Sequence, residues 1–145
     1  KVYSEKEVHS RCEILLENYS KVINIEALTM IDMVGKDIIP AVIRYTKELA
    51  EAASLVESLG MDAAVQKEQL MRVSVLLRQA NAALNDLRYK QSKCVNLAGD
   101  LQAKAYHDEV CPAMDVLRAP IDHLEMIVDS HIWPMPTYDE LMFNV

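Results

Sequence analysis

Apolar residues recur at steps of three and four along most of this chain, a period that predicts helices. The first stripe runs through Cys12, Leu16, Tyr19, Ile23, Ala27, Met30 and Val34. Ser4 and Glu7 have the S-x-x-E spacing of a capping box and open that helix. Between Val22 and Val34 a second apolar set, Ile25, Leu28 and Ile31, lies on the opposite side, interrupted by Asn24 and Asp32. A helix apolar all round is normally buried all round, so this segment is expected to touch something beyond its own bundle. Gly35 and Pro40 then break the run. A proline inside a helix forfeits one hydrogen bond and its ring clashes with the preceding turn, which predicts a kink near Pro40. Helical character resumes through Arg44, Leu49 and Ala53 to about Glu57. The run from Ser58 to Asp62 reads as a stop and restart, with Gly60 near the C′ position and Asp62 as the next N-cap.

The second helix carries the most regular pattern. Leu70, Val73, Leu77, Ala80, Leu84, Leu87, Gln91, Cys94 and Ala98 form a heptad seam, widened by Leu76, Ala83 and Leu97. Gln91 is its one polar member; it either fixes register or sits where the bundle opens to water. Gly99-Asp100 predicts the next turn and N-cap, although the heptad phase runs on through Leu101 and Ala105, which leaves open a break nearer Asp108. The third helix follows Val110, Met114, Leu117, Ile121, Leu124 and Val128, with Pro112 and Pro120 inside it. The segments Asp37–Val42 and Glu109–Met114 match as acid, apolar, apolar, Pro, Ala, apolar. In an up-down-up arrangement the first and third helices run parallel, so kinks near Pro40 and Pro112 are expected at one level.

The expected fold is therefore all-α: an elongated up-down-up antiparallel bundle of three long helices over residues 1–130. A Trp/Pro-rich docking tail follows over residues 131–145. Trp133-Pro134-Met135-Pro136 excludes helix, and Thr137 to Glu140 repeats the capping-box spacing, predicting a short C-terminal helix. Ile25, Leu28, Ile31, Trp133, Tyr138, Leu141 and Phe143 are the candidate interface, because apolar area this concentrated calls for a partner.

Composition sharpens this picture. The chain has 145 residues, three glycines and five prolines, too few turn formers for a strand-rich fold. A net charge of −7 opposes sequence-independent nucleic-acid binding, which needs a basic face. No uncharged run approaches the roughly 18 to 20 residues of a membrane span. Cys12, Cys94 and Cys111 are odd in number and unpaired in spacing; each sits at an apolar position and is expected to be a small buried hydrophobe in a reducing compartment. The start at Lys1, with neither an initiator Met nor a signal-peptide core, suggests a piece of a longer protein.

The search for chemistry yields little. His107, Asp108 and Cys111 are the best metal-ligand set, but zinc needs three or four converging donors, and a histidine beside a core cysteine is the simpler reading. His123 and His131 read as solvated helix-end groups. The Glu-x-x-His pairs of di-iron bundles are missing, as are the glycine-rich phosphate loops. No catalytic, cofactor-binding or metal residue is assigned.

Two stretches nevertheless have a specific likeness. Ser10-Arg11-Cys12-Glu13-Ile14-Leu15-Leu16-Glu17-Asn18-Tyr19, continuing into Asn24-Ile25-Glu26-Ala27, resembles the start of the C-terminal region of type III glutamine synthetases. Trp133-Pro134-Met135-Pro136-Thr137-Tyr138, through Leu141-Met142-Phe143, resembles that family's extreme C-terminus. Cys12, Met135 and Asp139 depart from the family's usual aromatic, Phe and Gly. The resemblance implies a cytoplasmic, dodecameric parent enzyme that ligates ammonia to glutamate using ATP and divalent Mg or Mn. It also implies that the metal and phosphate ligands lie in a preceding catalytic region. On this reading the chain is a non-catalytic domain whose partners are that catalytic region and homo-oligomer subunits, not nucleic acid or membrane. The alternative is a regulatory helical module that accepts a partner helix or a small effector.

Overall fold

A computed structural model describes residues 3–136 together with Leu141 and Met142. Most of those residues are helical, and no strand occurs among them. The elements are α1 (Glu5–Met33), a π turn (Val34–Ile38), α2 (Ile39–Ser58), α3 (Ala64–Cys94), α4 (Gly99–Ala105), a second π turn (Tyr106–Val110) and α5 (Cys111–Glu125). They form three arms: α1 running through a π turn into α2, α3 alone, and α4 running through a π turn into α5.

The helix starts follow local chemistry. Ser4 accepts from the Glu7 N–H while the Glu7 carboxylate accepts from the Ser4 N–H at 2.7 Å, a complete capping box. That backbone donor, seconded by the Ser4 hydroxyl, holds the Glu7 carboxyl below its usual pKa. The turn after α2 falls at Gly60, whose φ of 75° is the left-handed conformation expected at C′. The next N-cap is Ala63 rather than Asp62, but Asp62 still serves the helix start, since its Oδ1 accepts from the Ala64 N–H at 3.0 Å. Lys67 pairs with Glu57 across this turn. The second break comes earlier than the heptad phase suggests. α3 ends at Cys94, so Leu97 and Ala98 lie outside it and are exposed. Gln102 Nε2 donates to the Cys94 carbonyl at 3.2 Å, satisfying one of the orphan groups at the helix end. Gly99, with φ 57°, turns the chain into α4.

Near Asp108 the chain makes a wide turn without a break. Each π turn is closed by an amide five residues on, Ile39 N–H to the Val34 carbonyl and Cys111 N–H to that of Tyr106. Pro40 and Pro112 each stand one residue into the following α-helix. A wider turn makes room for a ring that would otherwise meet the carbonyl four residues back. Val34 and Tyr106 open the two turns, Ile38 and Val110 close them, and Ala41 and Ala113 follow; all six are buried. Pro120 is accommodated inside α5, also buried. The third arm ends at Glu125, three residues before Val128, the last member of its expected stripe.

The core follows the predicted seam of α3. Val73, Ala80, Leu84, Leu87 and Cys94 are buried, while Leu70, Leu77 and Gln91 are half-buried. This seam packs on α2 along one side and α5 along the other. Residue numbers rise along the first arm as they fall along α3: Asn24 lies at Gln91, and Gly35 beside Leu84 and Arg88. Burying the side chains of Leu84, Leu87, Leu117 and Leu124 stabilises the fold by roughly 1.5–3 kcal/mol each relative to exposure.

Candidate functional site

Two small polar groups tie α1 to the other arms. Asn24 Oδ1 accepts from Gln91 Nε2 at 2.8 Å and from the Tyr106 hydroxyl at 3.0 Å. Gln91 is thus part of an inter-arm hydrogen-bond network, and Asn24, which interrupts the apolar pattern of α1, is its acceptor. Tyr106 is buried to 1% exposure, and burial, followed by the neighbouring Cys94 thiol, pushes its hydroxyl pKa up. A buried tyrosine needs a partner for its O–H, and Asn24 supplies it. One turn earlier on α1, the Tyr19 hydroxyl lies 3.4 Å from His107 Nδ1 and 3.8 Å from Cys111 Sγ. Burial first, then the Cys111 thiol, raises the Tyr19 hydroxyl pKa, so it stays protonated.

That second group is where the candidate metal ligands go. His107 and Cys111 do converge, but on a phenol rather than on a shared vacancy. Among the described residues no set of three or more His, Cys, Asp or Glu side chains could hold a metal ion. An imidazole and a thiol are in any case soft donors, whereas Mg and Mn select oxygen ligands. His107 and Cys111 therefore do not fit the Mg or Mn ion implied by the resemblance, and no step is assigned to it.

The thiols differ from one another. Cys94 is buried, and burial followed by Glu109 raises its pKa, which makes it an inert core residue. Cys111 is half-buried. Cys12, expected inside, is exposed, because none of the residues from Glu5 to Leu15 is buried against the rest of the molecule. His123 and His131 are both exposed. The His131 N–H donates to Asp129 Oδ1 at 2.8 Å just beyond the last helix.

The candidate interface residues separate into three groups. Ile25 and Leu28 are exposed on α1, at 63% and 46%. Ile31 is half-buried and packs on the main core. Trp133 is buried in that same core at 6% exposure, held by its N–H to the Asp129 carbonyl at 2.9 Å, so its apolar area is covered by this chain itself. Its indole Nε1 meets no acceptor among the described residues. Leu141 is 67% exposed, whereas Tyr138 and Phe143 lie outside the described residues, as does the start of the expected tail helix.

One surface feature was not legible in the sequence because it depends on how the arms diverge. α1 and α5 leave between them an open groove of about 460 Å³. Its floor is Met30, Val34, Ile38, Leu117 and Ile121, its walls Ile25, Thr29, Met33 and Met114, and Met135 of the tail closes one edge. Arg118 and Asp122, 3.5 Å apart, supply its polar rim together with Glu26. Methionine-lined apolar grooves adapt to helical partners. Among the described residues no helix is long and apolar enough to cross a membrane.

Comparison with known proteins completes the description. Residues 1–57 match the glutamine synthetase C-terminal domain family. The chain is 32% identical over 147 aligned residues to a glutamine synthetase of Butyrivibrio fibrisolvens, covering 99% of this chain and 21% of that protein. It is 28% identical to the glutamine synthetase of Bacteroides fragilis, covering 99% of this chain and 21% of the relative. It is 33% identical to the type-3 glutamine synthetase of Dictyostelium discoideum, covering 98% and 20% respectively. The chain thus spans about a fifth of the length of the curated relatives it matches. No solved structure matches it.

Proposed function

This chain is a glutamine synthetase C-terminal region, and we propose that it serves its parent enzyme without contributing catalytic groups, as a helical domain that supports oligomer assembly or braces the catalytic core. The parent activity in this proposal is the ATP-dependent ligation of ammonia to glutamate, with Mg or Mn, in the cytoplasm. The single observation that carries the reading is the outward face of α1, where Ile25 and Leu28 remain exposed on a helix whose other side is already buried. Exposed apolar area of this kind marks an interaction surface. In this reading the three arms run up, down and up. The π turns beside Pro40 and Pro112 then bend the outer arms at a shared level and set the angle at which α1 meets its partner.

Deleting the chain from Tyr3 onward in the full-length enzyme tests this directly. Sedimentation velocity should show smaller assemblies, or turnover should fall. An unchanged assembly with unchanged activity would remove the idea.

A second reading, a regulatory module, is favoured by one observation, the open methionine-lined groove between α1 and α5. Its occupant would be an amphipathic partner helix. Saturable binding that Met114→Glu abolishes, at a position lining the groove, is the expected sign; no saturable partner would leave the assembly reading alone.

A further inference from the structure

We propose that the outward face of α1 is a self-complementary seam on which a second copy of this chain packs antiparallel, about a two-fold axis passing near Lys21 and Val22. The proposal rests on the assembly reading above and names the surface and partner that would carry it.

The helix itself supplies the first support. Its inner side is Leu16, Tyr19, Ile23, Ala27 and Val34, all buried or half-buried. Away from that side stand Val8, Leu15 and Val22, 51% to 69% exposed, and the row continues onto Ile25 and Met33 of the groove wall, 63% and 37% exposed. Val8, Leu15 and Val22 are seven residues apart, the repeat by which one helix faces another. The stripe from Val8 to Met33 runs for about 37 Å at 1.5 Å per residue. In addition, none of Glu5 to Leu15 is buried, although the helix is continuous there. An unsupported helical segment of that length is marginal in water. Something therefore packs along it.

The distribution of charge points to a second copy. Glu7 and Lys36 lie equally far along the sequence from the point between Lys21 and Val22 and carry opposite charge; so do Arg11 and Asp32. The apolar pair Ile14 and Leu28 is spaced about the same midpoint to within a residue. Antiparallel pairing sets Glu7 against the second copy's Lys36 and Arg11 against its Asp32, each contact occurring twice. Parallel pairing would set Glu7 on Glu7 and Arg11 on Arg11, which is unfavourable. The present partners of these groups are local and exposed: Ser4 for Glu7, the Tyr3 ring for Arg11, and Asp32 with Lys36 for each other. Such surface contacts are weak and exchange readily. Two apolar stripes this long, facing each other, reach the lower bound of about 1,200 Å² typical of specific interfaces.

Cysteine cross-linking in the full-length enzyme, with Cys12→Ser as background, tests the seam and its direction. Val22→Cys sits beside the axis and should give a covalent dimer on mild oxidation that reductant reverses. Val8→Cys lies about 40 Å from its counterpart in the antiparallel pair and should give none above background. Adding Arg11→Glu to Val22→Cys should lower the cross-linked yield several-fold, and adding Asp32→Arg as well should restore it. Equal yields from Val22→Cys and Val8→Cys, whether both high or both nil, would overturn the proposal, as would indifference to Arg11→Glu. If the deletion disperses the assembly while Val22→Cys fails to cross-link, the domain assembles through another face. If neither changes anything, the assembly reading falls with it.

Discussion

α3 and α1 are helices of similar length, 31 and 29 residues, with opposite relations to the rest of the molecule. α3 has one apolar seam, and that seam is consumed: Val73, Ala80, Leu84, Leu87 and Cys94 are all buried by neighbours within the chain. α1 has apolar residues on two sides, and only one side is used. From Glu5 to Leu15 it has no buried residue, and Leu15, Val22 and Ile25 remain more than half exposed. A seam satisfied internally stabilises the fold, whereas a stripe left over after folding marks where the fold has a use for another surface. The two helices therefore answer different questions, one about stability and one about function, and substitutions should separate them.

The largest expected effect lies in α3. Leu84→Ala or Leu87→Ala deletes a side chain at 1% or 0% exposure and should cost about 2–5 kcal/mol in chemical denaturation. Trp133, the sole tryptophan and part of the same core, provides the fluorescence readout. Leu15→Ala should shift the unfolding of a single chain by less than about 0.5 kcal/mol, the range for open surface positions. Equal losses at Leu84 and Leu15 would erase the contrast.

Next in size is the junction between the two regions. Asn24→Leu leaves the Tyr106 hydroxyl and the Gln91 amide without their acceptor and should cost about 1–3 kcal/mol. Tyr106→Phe removes only the donor and should cost less, since Asn24 keeps Gln91. A larger loss for Tyr106→Phe than for Asn24→Leu would show that the network is organised differently.

The thiols give a finer test without substitution. A thiol reagent should modify Cys12 first, Cys111 more slowly, and Cys94 only as the bundle unfolds, because Cys94 is buried and its pKa is raised. Simultaneous modification of Cys12 and Cys94 would mean that the inner end of α3 is open.

The smallest effect is at the start of α1. The Glu7 carboxyl has a lowered pKa in the folded chain, so the capping box stabilises above the carboxyl's usual range and is lost as pH falls through the lowered value. Amide protection near Ser4 to Val8, taken relative to the intrinsic exchange rate at each pH, should fall below that pH while protection in α3 holds. Glu7→Gln should remove this pH dependence, and an unchanged pH profile in that variant would assign it to another group.

Much of this organisation was visible as period and punctuation. The heptad seam gave α3 its buried face, Gly60 marked the first turn, and Ser4 with Glu7 marked the first cap. The misses have physical causes. Cys12 follows the stripe of α1 in phase, but a stripe shows which side can be buried and not how far a neighbouring helix extends to bury it. Asn24 looked like an interruption because its donors, Gln91 and Tyr106, lie 67 and 82 positions away. The prolines announced a disturbance, yet the wide turns that absorb it precede Pro40 and Pro112, at Val34–Ile38 and Tyr106–Val110, where no single residue type signals a π turn. The apolar phase runs on past Cys94, although α3 ends there and Gly99 turns the chain into α4. Trp133 carried apolar area that asked for cover, but not the information that this chain provides it.

The central claim is that α1 keeps its outward face for assembly and not for folding. Light scattering of the full-length enzyme carrying Ile25→Glu and Leu28→Glu together tests that claim most directly. The account predicts a lower particle mass with the thermal unfolding of the helical domain unchanged. An unaltered mass would contradict it.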